Sequence, residues 1–290
     1  MATNSKVKIR LQGHEKFPLR DGWLSKGLIN VEKNPKVFQG KEGPDIFGIG
    51  NNMVKSLRYW LKAFNLIEES PVKGATLTSL GEIVFQYDPY IEDEFTVWIL
   101  HSQIAKNLYE ATTWYMFFNR CDVEDLNKEN IEKILLREIK KYTMDQTFSE
   151  NSVKSDLDVI LNMYGKKRGV VDPEDNSVSP FTNLKLLKIN EGTYTKVQPD
   201  MNSINEWVVL YELATMLGAE DSISIEQFVN DECGLSKIYQ LSSVSSNDLL
   251  DSLDALGYIR VDRTAGLDMI YKSREFTCEE ALLEYYKNQR

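Results

Sequence analysis

The sequence predicts a mainly α fold with small β wings, arranged as two winged-helix-like units joined by a helical middle region. Three observations predict it. Apolar residues recur at helical spacing along most of the chain. The order helix, short strand, glycine turn, strand occurs near residues 40–85 and again near 205–275. A chain of 290 residues, 42% hydrophobic and 11% aromatic, holds enough apolar side chains for one large core or two ordinary ones. The expected division is a basic winged-helix-like domain over 1–90, a helical middle over 91–165 and an acidic winged-helix-like domain over 166–290.

The first element carries polar chemistry. GHEKFPLRDGWLSKG, residues 13–27, gathers His14, Glu15, Lys16, Arg20, Asp21 and Lys26 around Phe17, Leu19, Trp23 and Leu24. Arg20 suits a phosphate, and His14 or Glu15 suits proton transfer or metal ligation, so these three are the candidate catalytic residues. The same pattern also describes a capped loop entering a helix, with His14 hydrogen-bonded and Trp23 as a core anchor.

FGIGNNMVKS follows at 47–56. Gly48 and Gly50 precede a helix start, where backbone N–H groups and the helix dipole favour an anion. The spacing excludes nucleotide fingerprints: no G-x-x-x-x-G-K-[ST] is present, and Met53 stands where G-x-G-x-x-G needs its third glycine. No nucleotide cofactor is expected. The helix 51–66 sets Val54, Leu57, Leu61 and Phe64 on one stripe and Lys55, Arg58 and Lys62 beside it. Lys26, Gly50, Asn51, Asn52, Lys55, Ser56, Arg58 and Lys62 are therefore the candidate DNA-contacting residues. A short strand, the turn 70–75 and Thr76–Thr78 complete a wing.

Residues 94–118 read as one long helix, a spine with Trp98, Tyr109 and Trp114 in the core. Helices are expected at 124–142 and 152–163, the latter capped by Ser149 or Ser152. The polar stretch 166–183 reads as a linker. Strands at 184–188 and 193–197 flank an Asn-Glu-Gly turn, and helices follow at 204–217 and 224–231. The last unit, SSNDLLDSLDALGYIRVDRTAGLDMIYKS, repeats helix, strand, turn, strand. Its helix carries Asp248, Asp251 and Asp254, a face that repels phosphate and suits protein or internal packing.

Charge divides the chain. Residues 1–75 hold 13 Lys and Arg against 7 Asp and Glu, while the whole chain carries −10. A basic head on an acidic body hints at a nucleic-acid-facing end. Three dispersed cysteines fit neither a disulfide framework nor a zinc site, and with two histidines any metal would rest mainly on carboxylates. Asp156, Asp158, Asp172, Glu174 and Asp175 could hold Mg2+ but form no nuclease motif and read as solvated charge. No apolar run has the length of a membrane span and no signal peptide is visible, so a cytoplasmic location without membrane partners is expected.

GHEKFPLRDGWLSKG followed by GIGNNMVKSLRYWLKAFNLIEE resembles the SspB-like family of Ssp-type DNA phosphorothioation cassettes. The resemblance is specific over about residues 12–85 and extends to SENSVKSDLDVILNMYG and Ser179-Pro180. It implies a DNA-engaging component that nicks one strand with a divalent metal. It also implies work beside a cysteine desulfurase, an ATP-dependent sulfurtransferase and an ATPase in an anti-phage modification system. The residues themselves support DNA contact but supply no matched catalytic set. Two other readings share the basic helix and wing: a winged-helix transcriptional regulator, and a bridging scaffold with an acidic docking wing.

Overall fold

The computed structural model describes residues 7–165, 178–266 and 268–288. Three helices open it: α1 (Trp23–Lys33), α2 (Gly43–Phe47) and α3 (Asn51–Ala63). The expected stripe drives α3 into the core, with Leu57, Leu61 and Phe64 at most 1% exposed. An antiparallel hairpin follows, β1 (Ile67–Ser70) on β2 (Gly74–Leu77), in register from Ile67–Leu77 to Ser70–Gly74. Gly74 has φ +86°, and a Cβ there would lie 2.3 Å from the Pro35 carbonyl oxygen. Only glycine lets the hairpin close on that loop, where the Ala75 N–H donates to Pro35 O at 2.7 Å. The helix α4 (Ser79–Tyr87) begins at once, its first turn capped by Thr78 Oγ1 accepting the Gly81 N–H.

The expected spine is two helices, α5 (Glu94–Lys106) and α6 (Thr112–Arg120). Asn107 breaks it. Its side-chain oxygen accepts the Glu110 N–H at 3.0 Å and its amide donates to Ala63 O at 3.1 Å, a local bond that competes with the helical ladder. The break places Tyr109 in the connection, 54% exposed rather than in the core. Trp98 and Trp114 are buried as expected. A two-residue strand β3 (Leu126–Asn127) leads into α7 (Lys128–Tyr142), and α8 (Glu150–Gly165) starts with Ser149 Oγ accepting the Ser152 N–H.

Most of the expected linker, residues 166–177, lies outside the described residues. Its end is ordered by Ser179, whose Oγ caps a short 3-10 helix over Pro180–Leu184. The hairpin of β4 (Leu187–Asn190) and β5 (Thr193–Lys196) forms around the Asn-Glu-Gly turn, its first strand starting later than the pattern suggested. It also takes in β3, giving the order β3-β5-β4.

The remaining elements are α9 (Glu206–Leu217), β6 (Ser222–Ser224), α10 (Ile225–Asn230), α11 (Leu235–Ile238), α12 (Ser243–Ala255), β7 (Ile259–Asp262) and β8 (Met269–Lys272). Their sheet is antiparallel in the order β6-β8-β7. On α12, Asp248 is exposed, Asp251 pairs with Arg263 at 2.7 Å, and Asp254 accepts the Val261 N–H at 2.9 Å. The acidic face is thus partly spent on holding β7. Last, α13 (Cys278–Asn288) packs on both α9 and α4, and one contiguous apolar core runs through head, middle and C-terminal elements. The fold is mainly helical with small antiparallel sheets.

Candidate nucleic-acid interface

The N-terminus of α3 is open. Gly48, left-handed at φ +64°, ends α2, and Gly50 is the extended N-cap of α3 with no side chain to satisfy the first N–H groups. No acidic residue occupies the first turn, so the helix's partial positive charge is uncompensated there. Gly50, Asn51, Asn52 and Lys55 are exposed, and the Lys55 ammonium lies 3.3 Å from Asn52 Oδ1. Lys26 is exposed on α1.

The second half of the basic face is occupied. Arg58 forks onto Glu69 of β1 at 2.6 and 2.9 Å, and Lys62 lies 3.7 Å from Glu69 and 3.9 Å from Glu110. Such pairing lowers the charge offered to a phosphate without removing it, because the ions are partly exposed and screened. Ser56 corrects the sequence reading. It is fully buried and donates to the Phe17 carbonyl, so it faces the core and not a ligand.

His14 is also fully buried. Its Nδ1 accepts the Lys16 N–H at 3.1 Å, which leaves the ring proton on Nε2, 2.7 Å from Asp156 Oδ1. The ring stacks on Trp60 and meets Tyr59 and Trp114 edge-on. Gly13 lies against the Tyr59 ring so closely that a Cβ would come within 2.4 Å. Asp156, 1% exposed, further accepts the Gln12 N–H and the Thr113 hydroxyl. Both His14 nitrogens are therefore engaged, in the pattern of a structural histidine that ties the N-terminal segment to α6 and α8. Glu15 is exposed and Arg20 lies over the Trp23 ring at 5.7 Å.

Asp156 was expected to be solvated and is instead buried, because it serves three donors at once. Asp158 is exposed and pairs with Lys128. Asp172, Glu174 and Asp175 lie outside the described residues. Nothing in the sequence linked Asp156 to His14, or Glu69 and Glu110 to the basic face, since these partners meet only through the tertiary fold. Among the described residues no three His, Cys, Asp or Glu side chains come together to hold a metal ion. No described helix is long and apolar enough to cross a membrane.

Fold and site together define a mainly helical protein whose basic head presents an uncapped helix start beside a hairpin. The chain belongs to the family described as "Protein of unknown function (DUF4007)", whose model matches residues 11–286. It is similar to the structure titled "Magnesium ion-bound SspB crystal structure". The TM-score is 0.84 at 22% identity, covering 96% of this chain and 88% of that one. A second, titled "SspB crystal structure", superposes with a TM-score of 0.83 at the same identity and coverage. No curated protein matches the sequence.

Proposed function

We propose that this chain is the DNA-engaging component of a phosphorothioation system, and that it contacts duplex through the start of α3. The observation that carries the reading is the open N-terminus of α3 with Lys55 beside it, on the basic part of an otherwise acidic chain. Helices α1–α3 with the β1–β2 hairpin, and α9–α12 with the β6-β8-β7 sheet, are read here as the two winged-helix units. The likeness to SspB supports the family setting. A cysteine desulfurase, an ATP-dependent sulfurtransferase and an ATPase are the partners this reading names.

The test is binding of a labelled duplex at several salt concentrations. Lys55→Ala is expected to weaken binding for every sequence and to lower the log–log salt slope by about one, the share of a single phosphate contact. Wild-type protein that fails to bind duplex at low salt overturns the reading. Strand nicking is a separate claim of the same proposal, and conversion of supercoiled plasmid to open circle in the presence of Mg2+ tests it.

A further inference from the structure

The turn of the β1–β2 hairpin and the loop after α1 meet at one point. A Cβ on Gly74 would stand 2.3 Å from the Pro35 carbonyl oxygen and 3.3 Å from the Lys36 nitrogen, so Lys36 and Lys73 are carried on adjoining backbone. Each is held in its turn by a polar neighbour. The Lys36 N–H donates to Asn34 Oδ1 at 3.0 Å and the Lys73 N–H to Ser70 Oγ at 2.9 Å, while both side chains are exposed. The same loop is tied to the start of α3 through α2. Phe38 stacks on Phe47 with ring centroids 5.4 Å apart, and a Cβ on Gly43 would lie 3.5 Å from the Val37 carbonyl and 3.2 Å from Val54 in the first turn of α3.

Neither segment contains an acid. Residues 33–37 and 70–75 hold Lys33, Lys36 and Lys73 without an aspartate or glutamate. Lys33 lies in the last turn of α1, where the helix dipole favours a cation. Lys36 and Lys73 have no such use. Among the described residues neither has an ion-pair partner, and the acids next along the chain do not supply one: Glu69 is taken by Arg58 and Lys62, and Glu32 and Glu68 stand outside ion-pair distance. Two like charges on adjoining backbone repel, and an anion shared between them turns that repulsion into attraction. A duplex carries such anions at short, regular intervals along both strands, so one ligand can engage two cationic points of one surface together.

We propose that Lys36 and Lys73 form a second phosphate-binding point for duplex DNA, set beside the start of α3 by the seating of Gly74 on Pro35. This deepens the DNA-engaging reading and rests on it for the class of polymer, but the residues are distinct from those at the start of α3.

The experiment titrates the full chain against a fluorescent duplex at several salt concentrations. Lys36→Ala and Lys73→Ala are each expected to weaken binding several-fold for every sequence and to lower the log–log salt slope by about one, and the double variant by about two. Thermal unfolding should not change, because both side chains are exposed and unpaired. Arginine at both positions, which keeps the charge, should bind as wild type does. Lys188→Ala removes an exposed lysine on β4 and should leave the slope as it is. An equal loss from Lys188→Ala would reduce the effect to net charge and overturn the proposal. So would a double variant that binds as tightly as wild type while Lys55→Ala binds weakly, a result that leaves the α3 reading standing. Weakening by the double variant with none from Lys55→Ala sinks the α3 reading and keeps this one, and a wild type that binds no duplex at low salt ends both.

Discussion

Asp156 shows how much one buried side chain can settle. It satisfies the Gln12 N–H, the His14 ring N–H and the Thr113 hydroxyl, groups brought from two separate parts of the chain. Asp156→Ala leaves all three without a partner in the core, and a loss of about 3 kcal/mol or more in urea unfolding is expected. Asp156→Asn should cost less, since its oxygen can still accept. The other histidine gives a pH signature. His101 Nε2 donates to the Ile238 carbonyl and Nδ1 accepts the Tyr164 hydroxyl, and burial lowers its pKa to about 4 from an ordinary 6.5. Between those values the unfolded chain binds the proton and the folded one does not. Stability is thus full above about pH 6.5 and falls as pH drops towards 4, by up to ~3 kcal/mol. Unfolding measured across that window should show the loss in the wild type and a shallower one in His101→Gln. The sequence made His14 a choice between catalyst and structural residue. The choice turns on a carboxylate 142 positions away, which no local pattern reveals.

At the scale of the element, α3 was legible because its stripe and its cations follow helical spacing, and a helix start needs only its first few residues to be recognised. Its partners were not legible. Glu69 lies across the hairpin and meets Arg58 and Lys62 only once β1 has folded back along the helix. A direct consequence is that Glu69 restrains the charge of this face. Glu69→Gln should release both cations and tighten duplex binding several-fold at low salt, the gain shrinking as salt rises. An unchanged affinity would show that the second half of α3 does not face the polymer. The α5–α6 spine misled for a related reason: its apolar density is continuous, and a single asparagine side chain accepting the N–H of Glu110, three residues on, ends the helix there.

For the whole molecule, mainly helical architecture and both helix–hairpin runs could be read from period and turn residues. The ways the elements meet could not. The third strand of the middle sheet comes from two residues before α7, far too short a run to carry a pattern. The role of α13 was equally hidden. Tyr285 stacks on Phe95 with centroids 3.8 Å apart and donates to Asp93, while Tyr286 stacks on Tyr87 and shares a hydrogen bond with Thr96. These contacts join α13 to α4 and α5. Replacing Tyr285 and Tyr286 together by alanine should destabilise the protein by at least ~3 kcal/mol. It should also loosen the head, seen as faster amide exchange in α4 before exchange rises in α7 and α8.

The docking of α13 on α4 also has a meaning in time. Synthesis delivers the head first, yet Tyr87 and Phe95 find their covering rings only after nearly two hundred further residues have emerged. At usual rates of elongation that interval is on the order of ten seconds or more. Throughout it the nascent chain carries an aromatic face whose covering helix has yet to be made.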